Sequence, residues 1–150
     1  MHKLHNYIRS EHFHYIGWFV AIASFLGSIY YSDVLKLPPC ILCWYQRIAM
    51  YPLVLIYMVG IIFKDKKLSY YVMPFGFIGL GISLYQMLLQ SGLLSEAESC
   101  RFGVSCLDTS FKLLGVFTIP MQSFIAFLLI TLSTFGAVLL DKAKKESKNL

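Results

Sequence analysis

Residues 38–47 read PPCILCWYQR, with a Cys-x-x-Cys pair at the point where a long apolar stretch begins. The two prolines disfavour a helix before them and favour one that starts directly after them. We therefore predict a helix with Cys40 in its first turn and Cys43 on the same face, close enough for a disulfide bond. The positive end of the helix dipole favours the thiolate, which is the reactive form of cysteine. The pattern predicts a redox-active pair.

The composition on both sides of this pair is typical of an integral membrane protein. Of the 150 residues, 57% are hydrophobic and 14% are charged, which is more apolar surface than a soluble domain of this size buries. A helix that crosses about 30 Å of hydrocarbon needs roughly 20 apolar residues. The predicted spans are about 14–32, 41–63, 69–90 and 117–140. We predict one all-α domain over residues 1–150, a bundle of four transmembrane helices.

The positive charges predict how this bundle sits in the membrane. Nine of the thirteen Lys and Arg residues lie in the N-terminal segment, the 64–67 loop and the C-terminal tail, whereas the two opposite loops hold three. Loops rich in Lys and Arg stay in the cytoplasm, so both termini are predicted inside and segments 33–39 and 96–112 outside. The net charge of +5 is thus explained without nucleic acid as a partner. We expect a multi-pass protein of the cytoplasmic membrane.

With this topology, all four cysteines lie on the extracytoplasmic side. Cys40 and Cys43 begin the second helix, and Cys100 and Cys106 lie in the long loop between the third and fourth helices. An even set of cysteines on the oxidising side predicts disulfides. Fifty-six residues separate the two pairs, a spacing unlike that of a zinc finger, so no metal site is predicted. The second pair is either part of a redox relay or a structural disulfide.

Arg47 is the one charged residue within the four predicted spans. It follows Cys43 by one helical turn, about 5–6 Å deeper on the same face. A guanidinium near the middle of a membrane costs roughly 2.5–3.5 kcal/mol, so a partner or a function is expected. Snorkelling toward the headgroups is one interpretation. The other is a polar acceptor dissolved in the membrane, such as a quinone, whose carbonyl Arg47 binds while negative charge develops.

Three glycines of the third predicted span, Gly76, Gly79 and Gly81, are spaced like a fragment of a nucleotide-binding loop. No strand precedes them, and their order is wrong for such a loop. We interpret them as small residues that let two helices pack closely.

The third loop, about residues 91–116, is long for a helical bundle, and loops of this length are usually functional or flexible. Its last part is an apolar cluster over residues 111–117 that contains Lys112. The cluster either lies along the membrane interface or begins the fourth span.

Residues 39–47, PCILCWYQR, and the MYPL of residues 50–53 closely resemble the DsbB-type thiol:quinone oxidoreductases. The Trp-Tyr-Gln-Arg version resembles the BdbC branch of Gram-positive bacteria. The resemblance covers the whole chain, with four spans, one cysteine pair at the second span and another in the last outer loop. It implies a membrane enzyme that reoxidises an extracytoplasmic thioredoxin-like dithiol oxidase and passes the electrons to a membrane quinone, menaquinone in Gram-positive bacteria, in support of disulfide bond formation.

The resemblance also implies an order of events. The reduced partner attacks a disulfide between Cys100 and Cys106 and forms a mixed disulfide through Cys100. Cys106 then exchanges with Cys40. Cys43, released as a thiolate, passes electrons to a quinone held near Arg47.

Some members of this family place a histidine near the quinone in the third helix, and this chain has none there. Its histidines lie in or near the predicted cytoplasmic segment, at His2, His5, His12 and His14. We interpret Tyr85 and Gln86, in the outer half of the third predicted helix, as the residues that hydrogen-bond the quinone instead.

A second class of function is a disulfide-stapled membrane transporter or scaffold subunit without redox turnover. The four predicted spans contain no carboxylate, whereas ion-coupled transport commonly uses an ionisable residue within the membrane. The sequence therefore favours the oxidoreductase.

Overall fold

The computed structural model describes residues 2–36, 38–93, 112–113 and 117–146. Most of these residues are helical. The helices are α1 (His2–Ile29), α2 (Ile41–Ile62), α3 (Leu68–Gln90) and α4 (Ile119–Glu146). All four include a segment long and apolar enough to cross a membrane, and that of α1 extends through a π-helical turn over Tyr30–Val34. The predicted all-helical architecture with four spans is confirmed.

The four helices pack in a ring around one apolar core. Contacts join α1 to α2, α2 to α3, α3 to α4, and α4 back to α1. The centre holds fully buried side chains, among them Leu53, Tyr57, Val72, Phe127 and Ile130. Large apolar side chains also cover the outer surface, as a bundle in contact with lipid requires. The hydrophobic composition is therefore divided between a packed interior and a lipid-facing exterior.

Two of the three predicted packing glycines lie where α3 meets α4. A Cβ atom added at Gly76 would lie 2.9 Å from Oγ1 of Thr131, and one added at Gly79 would overlap the ring of Phe127. These two positions therefore let the helices approach more closely than a larger residue would allow. The packing prediction is wrong for Gly81, because a Cβ there would meet nothing within 4 Å.

The start of α2 differs from the prediction in one respect. Cys40 is the N-cap of the helix, with extended backbone angles (φ −69°, ψ 168°), rather than a residue of its first turn. Its sulfur accepts a 3.3 Å hydrogen bond from the backbone N–H of Cys43, and its carbonyl accepts one from Trp44 at 3.1 Å. The reason is that the first N–H groups of a helix have no partner within it, and an N-cap side chain satisfies one of them.

A short ribbon of two strands precedes α4. Strand β1 (Lys112–Leu113) pairs antiparallel with β2 (Phe117–Thr118), so the alternative that the apolar cluster of residues 111–117 begins the fourth helix is wrong for its described residues. The helix begins at Ile119, after the predicted start at residue 117, and Pro120 follows in its first turn, where proline is tolerated. Cys100 and Cys106, and with them the predicted relay loop, lie outside the described residues.

Candidate active site

The first cysteine pair lies at the start of α2, in an apolar setting against α3. Cys40 is buried and Cys43 is partly buried. Cys40 packs with the buried side chains of Leu42 and Leu89, and the partly buried Tyr85 borders the same cluster. Cys40 is therefore buried among apolar side chains where α2 meets α3.

Two glutamines complete the polar surroundings of the pair. The amide nitrogen Nε2 of Gln86 donates to the sulfur of Cys40 at 3.3 Å and to that of Cys43 at 3.7 Å. Gln46 in turn donates from its Nε2 to Oε1 of Gln86 at 2.8 Å. Sequence reasoning did not single out Gln46, although the residue lies between Cys43 and Arg47 in the motif.

The other side of Cys43 meets a cavity of about 420 Å³ between α1, α2 and α4. Most of its wall is apolar and partly aromatic, with Phe19, Tyr51 and Phe127 among the lining residues. Cys43 and Arg47 both line it, one turn apart on α2. A chamber of this size and character is typical of a small-molecule site, and its wall carries both a cysteine and a positive charge.

Arg47 contacts the end of α1 and the π-helical turn that follows it. Its guanidinium donates to the carbonyl oxygen of Ser28 at 3.1 Å and to the hydroxyl of Ser32. The guanidinium carbon also lies 5.7 Å from the ring centroid of Trp44, within the range of a cation–π interaction. The expected partner for a charge within a span is therefore a group of backbone and hydroxyl acceptors on the neighbouring helix.

A second polar pair lines the cavity where α4 begins. Tyr31 donates from its hydroxyl to Oε1 of Gln122 at 2.9 Å. The Nε2 atom of Gln122 is buried and has no hydrogen-bond partner among the described residues. Sequence reasoning missed both residues, because a single Tyr or Gln near the end of an apolar span carries no signal of its own.

The structure brings some of the predicted site residues together and separates others. Cys40 and Cys43 lie together, and Arg47 shares the cavity with Cys43. Tyr85 and Gln86 are on α3, which contributes no lining residue to this cavity. Gln86 contacts the two sulfurs instead. The contact of Tyr85 and Gln86 with a quinone stays a prediction.

Comparison with known proteins gives one consistent group. The family model described as disulfide bond formation protein DsbB matches residues 10–137. A probable disulfide formation protein C 2 of Bacillus cereus is 49% identical over 77% of this chain and 83% of its own length. The disulfide bond formation protein C of Bacillus subtilis is 43% identical over 79% and 86%. A probable disulfide formation protein of Chlamydia pneumoniae is 41% identical over 81% and 88%. No solved structure gives a significant match.

Proposed function

Because this chain belongs to the DsbB family of disulfide bond formation proteins, we propose that it is a membrane thiol:quinone oxidoreductase. In this proposal it reoxidises an extracytoplasmic thioredoxin-like dithiol oxidase and delivers the electrons to a membrane quinone. One observation carries the proposal: Cys43 and Arg47 line the same apolar cavity within the bundle. A redox cysteine that lines an apolar chamber needs an electron acceptor that dissolves in the membrane.

The residues of the cavity fit a quinone. A quinone combines a flat apolar ring with two carbonyl acceptors, and the wall combines aromatic side chains with few polar groups. Arg47 supplies donors on α2, and the buried Nε2 of Gln122 supplies a donor on α4 that lacks a partner among the described residues. A buried donor without a partner costs about 1–3 kcal/mol, so a rotation of the Gln122 amide that brings its nitrogen to a ligand carbonyl in the cavity would be stabilising. We propose menaquinone, the quinone implied by the Gram-positive resemblance.

Electrons would leave the cysteine pair on the side of the cavity, where Cys43 and Arg47 lie. When bound, the quinone supplies the terminal oxidising power by accepting two electrons and two protons. Cys43 lines the cavity, and Arg47 provides positive charge that stabilises an oxygen gaining negative charge. In an apolar surrounding of low dielectric constant this interaction is stronger than in water.

Electrons would enter from the opposite side through the loop cysteines. A thiolate of the reduced partner breaks the bond between Cys100 and Cys106 and forms a mixed disulfide through Cys100, which the second partner thiol resolves. Cys106 then attacks Cys40 of the Cys40–Cys43 disulfide, and Cys43 leaves as a thiolate. Cys100 attacks Cys106 in the resulting Cys106–Cys40 disulfide, which restores the Cys100–Cys106 disulfide and leaves Cys40 and Cys43 reduced. The partner loses two electrons and two protons and gains one disulfide, and the same electrons and protons leave the chain in the quinol.

The distribution of charge supports an extracytoplasmic location for the cysteines. The residues of the 64–67 loop, which carries three lysines, are exposed at the end of α2 opposite Cys40 and Cys43. Because α2 has 22 residues, these two ends are separated by about 33 Å, roughly the thickness of the hydrocarbon core. With the lysines in the cytoplasm, the cysteines face the oxidising side.

The test is turnover by the purified protein in lipid nanodiscs that contain menaquinone. We expect one quinol for each partner disulfide formed, and none without a reduced thioredoxin-like partner. Cys43→Ser removes the sulfur proposed to pass electrons to the quinone and is expected to abolish turnover. If Cys43→Ser reduces quinone at the normal rate, the proposed electron path is wrong.

A trapping experiment identifies the partner. In cells that carry Cys106→Ser, Cys100 has no cysteine to pair with in the loop, so its thiolate attacks the disulfide of the oxidised partner and forms a mixed disulfide, which acid quenching and alkylation of free thiols preserve. Capture of a thioredoxin-fold protein supports the proposal. The double variant Cys100→Ser/Cys106→Ser is the matched control and should capture nothing.

A further inference from the structure

Two glutamine side chains are buried together between α2 and α3, beside the cysteine pair. Gln46 is 5% exposed and Gln86 is 2% exposed. Burying an amide away from water costs free energy unless its groups are hydrogen-bonded. The two side chains satisfy part of this requirement by bonding to each other and to the sulfurs of Cys40 and Cys43.

The contact with Gln46 determines which way the Gln86 amide points. Gln46 donates to Oε1 of Gln86 at 2.8 Å, and this oxygen is the acceptor end of the amide. The nitrogen end therefore faces the cysteines, at 3.3 Å from the sulfur of Cys40 and 3.7 Å from that of Cys43. One N–H donor group thus serves both sulfurs.

We propose that Gln86 is a catalytic residue that stabilises negative charge on either sulfur of the pair, with Gln46 as the positioning residue that holds its amide. The inference rests on the proposed function only in taking Cys40 and Cys43 as the redox pair. It assigns Gln86 to the cysteines, in place of the predicted contact with a quinone. A neutral donor suits this task because it favours a thiolate without adding a charge to an apolar site.

The consequence is a shift in the redox equilibrium of the pair. A hydrogen bond to an ionised acceptor is roughly twice as strong as one between neutral groups, so Gln86 stabilises the reduced pair more than the disulfide. Stabilising the reduced form makes a disulfide a stronger oxidant. Gln86 therefore favours transfer of electrons from Cys106 to the Cys40–Cys43 disulfide.

The test is a titration of the full-length chain with glutathione in nanodiscs without quinone or partner. Cys100 and Cys106 are replaced by serine, so that only one pair exchanges. Reduction breaks the bond between Cys40 and Cys43 and joins two glutathione molecules by a disulfide, with two electrons and two protons passing to the pair. Trapping the thiols by alkylation and measuring their mass gives the equilibrium constant.

Gln86→Met keeps the length of the side chain and removes the N–H donors. We expect it to shift the equilibrium toward the disulfide by about tenfold, which corresponds to a reduction potential lower by about 30 mV. Gln46→Met leaves the donor in place but removes the group that orients it, and should shift the equilibrium by about threefold in the same direction. If Gln86→Met does not fold, Gln86→Glu, which keeps the shape of the side chain, is titrated instead. Its equilibrium is expected to shift in the same direction, toward the disulfide.

Gln90→Met is the matched control, because Gln90 is a partly buried glutamine one turn further along α3. It should leave the equilibrium within about twofold of the parent chain. An unchanged equilibrium in Gln86→Met, or an equal shift in Gln90→Met, would overturn the inference. Since the titration contains no quinone, a chain that shows the Gln86 shift but fails to reduce quinone would contradict the proposed function and leave this inference standing.

Discussion

The hydroxyl of Tyr31 donates a 2.9 Å hydrogen bond to Oε1 of Gln122. This contact joins the π-helical turn after α1 to the first turns of α4, and both residues line the cavity that Cys43 faces. Oε1 of Gln122 accepts this hydrogen bond, whereas its Nε2 atom is buried without a partner among the described residues. A polar residue on α4 therefore complements Arg47 on α2 as a candidate contact for a quinone.

Gln122→Leu is expected to weaken quinone binding by about two- to tenfold, because a hydrogen bond between neutral groups contributes about 0.5–1.5 kcal/mol. The dissociation constant of a short-chain menaquinone analogue, measured by calorimetry on the purified protein, checks this. Ser123→Ala changes the next residue of the cavity wall and should bind normally. Equal affinity in Gln122→Leu and the parent chain would contradict the role of this amide.

Gly27→Leu is expected to fill the cavity without disturbing the bundle. Gly27 lines the cavity, and a Cβ atom added there meets nothing within 4 Å. The variant should fold with an unchanged melting temperature and lose quinone binding. Gly81→Leu is the control, because Gly81 also has open space but does not line the cavity. Normal binding by Gly27→Leu would show that the quinone lies elsewhere.

Arg47→Met is expected to lower quinone affinity by about ten- to a hundredfold, since a hydrogen bond to a charged group contributes about 1.5–3 kcal/mol. Arg47 also holds Ser28 and Ser32, so the variant should melt at a lower temperature. Ser32→Ala separates the two effects by removing one internal acceptor and keeping the charge. Its affinity should stay within about twofold of the parent chain; a loss as large as that of Arg47→Met would make the role of Arg47 purely structural.

Gly79→Ala is expected to destabilise the bundle by about 1–3 kcal/mol, the usual cost of adding a methyl group to a packed interface. The added Cβ would overlap the ring of Phe127, which is 1% exposed and has little room to move. Gly81→Ala, with open space on the same helix, should be as stable as the parent chain or up to about 1 kcal/mol more stable, because alanine favours a helix over glycine. Equal unfolding midpoints for the two variants would contradict the close α3–α4 contact.

The features that sequence reasoning predicted correctly depend on positions close together along the chain. Four apolar stretches of membrane length predict four helices, whatever their arrangement. Cys40, Cys43 and Arg47 follow one another at intervals of three and four residues, so any helix that begins near Cys40 places them along one side. The error at Cys40, which caps the helix instead of entering it, concerns a single residue at a helix end, where side-chain and backbone acceptors compete.

The contacts that complete the site depend on positions far apart along the chain. Arg47 reaches Ser28, Gln86 reaches Cys40 from 46 residues away, and Tyr31 meets Gln122 across 91 residues. Such contacts depend on how each helix is rotated about its axis and how far it is shifted along its neighbours. The sequence of an apolar span determines neither quantity, because almost every face of a membrane helix is hydrophobic.

Spacing within the chain was therefore sufficient for the four spans, the closeness of Cys40 to Cys43 and the charge one turn below them, because helix geometry alone relates neighbours in sequence. The cavity beside Cys43, the donor on Gln122 and the amide shared by the two sulfurs arise only when α1, α3 and α4 pack against α2. Close packing at Gly76 and Gly79 sets the approach of α3 to α4. Packing at such interfaces depends on the side-chain shapes of several helices together. It therefore cannot be predicted from any single stretch of the sequence.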